Sequence, residues 1–500
     1  MDVKQLLSDL AERQMPSAPP LRPGTVQRAH RRRAMVAAAT SLAVVAGALG
    51  VWAGIGSLSR PRPVPPAERD ASFSMIALDG TEATALAAHG DAAWAATDGK
   101  LYRVAGSEPE RIGPFPDTYL GQPFEQRMQI DDLAANENGV WVAASPVGAR
   151  CGESDAVAKD PCGDARWIPA GGAPQPARFF AGSRGGIAIG NGSTWVGGTT
   201  VMYKVTTDQR DAPVVAPRKG VRSIVGIAST LGQVFALVEP DDGRVDRALL
   251  SIEPNEGGGL GRLDLPGALI VRAGLGSLWV AAWHEGAAML YQIHPERFSI
   301  LRTIRLIESP GDAAKVLIKG LAFSGSTVYA AAARGDQGIV LAFDARTGTV
   351  ETLRAAGVPV DIAAGHEALW VLHSRPARLA RMTIPDPWDA HAPINDDERA
   401  EAVPERPGLE HPRITRIDRL EPSGDRLTIG FLGGDYPCGM LDHVELWEDR
   451  GRLMVLVVEG VRPTVRDGQW GCKSVGIGRT TTVEIPERLR GLEPADAAQD

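Results

Sequence analysis

Residues 274–282 read GLGSLWVAA, a small-residue turn followed by a tryptophan in an apolar run. Close copies stand at 90–96 (GDAAWAA), 137–144 (ENGVWVAA), 190–198 (GNGSTWVGG) and 365–372 (GHEALWVL). Aligned on the aromatic, the chain falls into seven units, anchored at Trp94, Trp141, Trp195, Phe235, Trp279, Tyr329 and Trp370. The anchors span 276 residues in six steps, a mean of 46. Eight residues before each stands an apolar side chain: Leu86, Leu133, Ile187, Ile227, Val271, Leu321 and Ile362. Seven before, the residue is Ala in six units and Arg272 in the other.

Each unit therefore reads as strand, tight turn, strand. Further strand-like pieces follow, such as LYRVAG, MYKVTT, LYQIHPE and LAFDARTGTV, making about four per unit. A four-stranded repeat of roughly 40–50 residues is the signature of a propeller blade. One such sheet cannot bury both faces alone, so blades must stack around an axis. Small residues on the first strand let the sheets converge there, and the aromatic on the second fills the wider space between blades. The expected fold is all-β: a seven-bladed β-propeller over 71–385, closed by 71–78 (ASFSMIAL) as the outer strand of the seventh blade. The widest step, 141 to 195, holds an insertion in blade 2. The pattern resembles the WD-repeat-like and NHL/YVTN-like propellers of bacterial envelope proteins, although no unit carries the Trp-Asp dipeptide of true WD repeats. That resemblance implies a fold and no particular ligand.

The ends of the chain are different. Residues 1–33 carry a net charge of +4 against −8 for the whole, leaving −12 for the rest. Acidity on that scale argues against a nucleic-acid partner. Val3, Leu6, Leu7 and Leu10 share a helical face in a short amphipathic start. Arg28, Arg31, Arg32 and Arg33 then abut 34–59, which are 26 residues without a charge. That length exceeds the roughly 20 residues a transmembrane helix needs, and flanking arginines mark the cytoplasmic side. The expectation is a cytoplasmic tail (1–33), one transmembrane helix (34–59), a linker (60–70) and an extracytoplasmic remainder. A cleaved signal peptide, with Ala53 at the cleavage position, is the alternative.

After the seventh unit, 386–412 are rich in Pro and acid and read as a linker. Residues 413–492 hold alternating or apolar runs (RLTIGFLGG, HVELWED, RLMVLVVEG, TTTVEIP) and read as a small β domain; 493–500 read as a disordered tail. Four cysteines, Cys151, Cys162, Cys438 and Cys472, lie beyond the apolar run, and their even number reads as two disulfides in an oxidising compartment. Zinc is the rival reading, but neither pair has CxxC spacing. The run from LTIGFLGGDYPCGMLDHVELWED to GCKSVGIGRTTTVEIPERLRG resembles a two-cysteine β domain at the C-termini of actinobacterial envelope proteins, which implies a Cys438–Cys472 bridge.

Searches for chemistry return little. There is no GxSxG elbow, the segments at His284 and His366 lack HExxH spacing, and 257–261 (GGGLG) lack phosphate-loop spacing. Nine residues before each anchor, where a blade enters the axis, five of seven residues are apolar or Gly; Asp132 and Asp361 are exceptions, as is Arg272 in the neighbouring column. These three are the candidates for binding at a channel mouth, the alternative being that they hydrogen-bond neighbouring blades or face water. No catalytic residue, cofactor or metal is expected. Three functions follow in order: a membrane-anchored extracytoplasmic scaffold or sensor for a protein, glycan or small ligand; a transmembrane regulator holding an extracytoplasmic-function sigma factor at its tail; and a propeller lyase or lactonase. The last rests on His284, His294, His366 and His373 and on similarity of fold to the virginiamycin B lyase family, whose histidines and magnesium do the chemistry; that family's Trp-Phe-Thr-Glu blade signature is missing here.

Overall fold

The computed structural model describes residues 67–499 apart from 70–72, 113–117, 120–121, 124–127, 147–162, 171–177, 181–185, 191–192, 199, 206–213, 216–219, 232, 253–258, 309–314, 356, 385–404, 407–408, 435–438 and 462–476. The tail and the proposed transmembrane segment, all four cysteines and most of 386–412 lie outside the described residues. Among the described residues no helix is long and apolar enough to cross a membrane.

Seven four-stranded antiparallel units follow one another along the chain. Their innermost strands are Ala83–His89, Met128–Asn136, Ile187–Gly190, Val221–Thr230, Ala268–Gly274, Val316–Ser324 and Pro359–Ala364. Each packs against the next, and the last against the first, so the ring is closed: the fold is a β-propeller. Ser74–Ala77 pairs antiparallel with Arg378–Thr383 as the outer strand of blade 7, so the two ends of the propeller sequence share a sheet.

The aromatic anchors act between sheets. Each lies directly opposite the residue seven positions earlier, on the neighbouring strand: Ala87 faces Trp94, Ala363 faces Trp370, and Arg272 faces Trp279. A methyl group opposite an indole leaves the ring free to lie over the next blade. Trp279 of blade 5 packs with Leu321, Ala330 and Phe343 of blade 6, and Trp370 of blade 7 with Leu86, Ala93 and Tyr102 of blade 1. In the GLGSLWVAA hairpin, Leu275 and Gly276 both have positive φ (51° and 68°), the two-residue turn that matches strand twist. Gly274 lies flat against the Phe323 ring, and a Cβ there would sit 2.4 Å from it.

The innermost strands slip register at one common place. In blades 1, 2, 4, 5, 6 and 7 the pairing with the second strand shifts just before Ala85, Asp132, Gly226, Ile270, Gly320 and Asp361. A bulge bends a strand and re-aims its side chains, as convergence on an axis requires. There the blades approach too closely for many side chains: a Cβ on Gly320 would lie 2.5 Å from Asp361 Oδ1 and 2.9 Å from Ile362 N. Gly320→Ala should therefore lower stability by about 1–3 kcal/mol, read as a drop in the thermal unfolding midpoint.

Three boundaries differ from expectation. Ala67–Arg69, inside the expected linker 60–70, forms a fifth strand of blade 6, parallel to Val350–Ala355. Glu410–Thr415 starts the C-terminal domain within the expected linker 386–412. The expected disordered tail, 493–500, is instead ordered in its described part. Glu493–Asp496 pairs with Arg452–Val455, and Ala497 and Ala498 are buried beside Trp447 and Met454. Small, weakly apolar residues carry little signal until a neighbouring strand and hydrophobic patch cover them. The C-terminal domain is a sandwich: one sheet joins Glu410–Thr415, Arg452–Val461 and Met440–Asp449, the other Ile417–Ser423, Arg426–Gly433 and Ile477–Glu484. Leu427, Ile429, Phe431, Val444, Leu446, Val455 and Val457 fill its core.

Candidate functional site

The three residues singled out at the axis converge from blades 2, 5 and 7. An Arg272 guanidinium nitrogen lies 3.7 Å from Asp132 Oδ1, and its charge also reaches Asp361. Both carboxylates are already occupied. Asp132 accepts hydrogen bonds from the N–H groups of Leu133 and of Ile187 in blade 3, each at 2.9 Å. Asp361 accepts from Ile362 at 2.9 Å and from Leu86 of blade 1 at 3.0 Å. Each carboxylate thus ties its bulged strand to the next blade, satisfying an amide that would otherwise be buried unpaired. The arrangement is that of structural staples, with Arg272 balancing their charge.

Burial dominates at Asp361, with Arg272 pulling its pKa down and Asp132 pushing it up; the outcome is about 7. The sign follows directly. Between the unfolded value near 4 and the folded value near 7 the native state holds a proton that the unfolded chain has lost. Stability should therefore fall as pH rises through that window. Asp361→Asn should flatten this slope in unfolding curves recorded from pH 4 to 7.

The four histidines are dispersed. His284 and His294 end opposite strands of one hairpin in blade 5, while His366 sits in a turn of blade 7 and His373 ends its second strand. His294 is buried, and that burial, reinforced by the Arg297 charge, draws its pKa to about 4; His373 is also drawn down, mainly by burial. Among the described residues no group of three or more His, Cys, Asp or Glu side chains is placed to hold a metal ion.

A second cluster, which the sequence reading did not single out, joins the propeller to the C-terminal domain. Arg302, on the outer strand of blade 5 (Ser299–Glu308), donates at 2.7 Å to Glu445 of Met440–Asp449, at 2.6 Å to Gln292 Oε1 and at 3.1 Å to the Ala345 carbonyl of blade 6. Gln292 in turn donates to Glu445 and, at 3.0 Å, to the hydroxyl of Ser277, inside GLGSLWVAA. His443 lies between Glu445 (3.2 Å) and Asp442, and the Asp442 carboxylate also accepts from Leu409 N at 2.7 Å. His443 and Glu445 are 0% exposed, so this is a buried chain of alternating charge. Both His443 ring nitrogens face carboxylates, which requires an imidazolium. Burial works against that form, but hydrogen bonds and charge from Asp442 and Glu445 outweigh it and lift the pKa to about 10. Above the network the Arg302 guanidinium lies 4.8 Å from the Trp447 ring centre, 5.0 Å from Phe343 and 5.9 Å from Trp279.

This seam borders a cleft of about 600 Å³. Ile300 to Ile304 of blade 5 form one wall; Phe343 and Gly348 of blade 6 and Trp447 to Arg450 with Arg488 of the C-terminal domain form the others. Ile300 is 41% exposed, which is unusual for a large apolar side chain within a strand. The legible hint was the strand HVELWED, whose His443, Glu445 and Trp447 share one face by period-2 alternation. Alternation normally marks a wetted face, and here a second domain covers it.

No protein-family model matches the chain, and no curated protein matches it. Solved structures similar in fold include hydrazine synthase of Kuenenia stuttgartiensis (8% identity, TM-score 0.47, covering 62% of this chain and 98% of that chain). YCF48 bound to D1 peptide (13%, 0.46, 64% and 99%) and the β-propeller domain of Myceliophteria thermophila Cps50 (Swd1) (10%, 0.47, 63% and 100%) are others. At such identity the likeness is of fold alone, and the closed ring of radial sheets is what establishes the architecture.

Proposed function

We propose that this chain is a protein-binding scaffold that does no chemistry of its own. It is held at the cell membrane by 34–59, with 1–33 in the cytoplasm and both β domains on the extracytoplasmic side. The observation that carries the binding reading is the cleft at the seam. Two domains locked by a buried charge network present a preformed concave surface with an exposed isoleucine and a tryptophan in its walls, features enriched where proteins meet. The membrane placement is supported by the uncharged 26-residue run behind its arginine cluster.

A photo-crosslinking amino acid installed at Ile300 in the native host tests the binding reading. A discrete higher-mass adduct is expected, absent when the same group stands at Met75 on the rim of blade 7, which is equally exposed at 39%. No adduct, or the same adduct at both positions, would count against it. Protease added to intact spheroplasts should digest both β domains without lysis. Full protection until lysis would reverse the proposed topology.

A further inference from the structure

We infer that the partner enters the seam cleft as an extended peptide, adding a strand to the outer edge of blade 5. This deepens the protein-binding reading and rests on it. Five consecutive residues, Ile300 to Ile304, line the cleft. Side chains of successive strand residues point to opposite faces. A cleft lined by all five therefore runs along the edge of the strand, where its main-chain donors and acceptors lie.

That edge is long and open. Ser299–Glu308 has ten residues, whereas the outer strands Pro109–Ile112, Gly259–Asp264 and Ser74–Ala77 have four, six and four. Among the described residues it pairs only with its inner neighbour, Ala287–His294. The register slips near Leu301 and near Leu306, leaving a regular stretch from Arg302 to Arg305 between them. Bulges and arginines guard an edge against indiscriminate pairing, and here they restrict access to a short window. The adjacent blade shows what such a rim accepts. The outer strand of blade 6 is extended by Ala67–Arg69, a three-residue parallel addition from elsewhere in the same chain. Only another peptide backbone offers alternating N–H and C=O groups to match a strand edge.

The side chains around the window define the peptide further. Arg302 is neutralised by Glu445, Arg450 lies 3.9 Å from Asp449, and the lining holds Glu448 as well as Arg488. Recognition therefore rests on backbone pairing and on apolar side chains meeting Ile300, Phe343 and Trp447, rather than on net charge.

Selection of a phage-displayed library of random dodecapeptides on the full-length protein in nanodiscs tests the inference. Apolar, extended sequences are expected, with affinity little changed between low and high salt. N-methylation of a selected peptide at alternate residues should weaken binding at least about tenfold in one register and little in the other, because it removes only the inward-facing N–H groups. Ile300→Lys, at an exposed position, should weaken binding comparably, and bound peptide should slow amide exchange within 299–308. Failure to enrich any peptide, indifference to N-methylation in both registers, or protection confined to other segments would overturn strand addition. If crosslinking at Ile300 succeeds while any of these failures occurs, scaffold binding stands and the strand-addition mode falls.

Discussion

Glu445→Ala should destabilise the protein by about 3–5 kcal/mol and loosen the C-terminal domain from the propeller before either unfolds. The reason is asymmetry. A buried ion pair gains little over a well-packed apolar pair, but removing one partner strands the other without water. Here the deletion strands Arg302 and leaves His443 with Asp442 as its one carboxylate, because Glu445 lies between the two cations, and it also takes an acceptor from Gln292. Hydrogen exchange should accelerate first in Met440–Asp449 and Ser299–Glu308, which the network joins. Replacing Arg302 and Glu445 together by Met and Leu should recover much of the loss, since no charge is then left unpaired. If Glu445→Ala leaves the unfolding midpoint and the exchange pattern unchanged, the network does not hold the domains together.

The same network fixes a pH dependence. With the His443 pKa at about 10 in the native state and near 6.5 in the unfolded chain, its contribution is fully present below about pH 6.5 and is lost as pH rises through 10. Alkaline loosening of the C-terminal domain should therefore precede unfolding of the propeller and should be blunted in His443→Gln. This alkaline limb and the acidic-to-neutral limb at Asp361 arise in different domains, so the two variants separate them.

Trp279→Ala should cost about 3–5 kcal/mol, and Trp279→Phe about 1 kcal/mol. Trp279 is 0% exposed, its ring lies 6.1 Å from Phe343 and 6.4 Å from Phe323, and its N–H donates to the Gly274 carbonyl at 3.0 Å. Truncation would open a cavity between blades 5 and 6 and break the hydrogen bond that closes the GLGSLWVAA turn. It would also remove one of the aromatic faces around Arg302, so the seam should loosen together with the inter-blade contact. For a domain of this size the unfolding midpoint should fall by roughly 5–8 °C. A shift under about 2 °C would mean that the repeated aromatic is not what cements neighbouring blades.

Much of the architecture was legible in the chain because it is repeated. An aromatic that recurs seven times, six of them opposite Ala, reports a packing rule, and Ala87 opposite Trp94 or Ala363 opposite Trp370 obey it by local strand pairing alone. The strand character of 71–78 likewise pointed to the outer position in blade 7. The axial exceptions Asp132, Asp361 and Arg272 could be picked out as polar residues in an apolar column, but their partners could not. Ile187 N reaches Asp132 only when successive blades stack and Leu86 N reaches Asp361 only when the ring closes, and only then do the carboxylates become staples.

The seam was illegible for a different reason. Arg302, Gln292, His443 and Glu445 are ordinary polar residues on alternating strands, and each taken singly predicts a face turned to water. Their burial comes from docking two separately folded sheets, with more than 140 residues between Arg302 and Glu445, and no periodicity records a pairing that occurs once. Repetition wrote the blade and the ring into the sequence, since every unit restates the same short-range contact. The cleft and the network beneath it exist only in three dimensions, because desolvation and charge pairing across a domain interface depend on what the fold brings near, not on what lies adjacent in the chain.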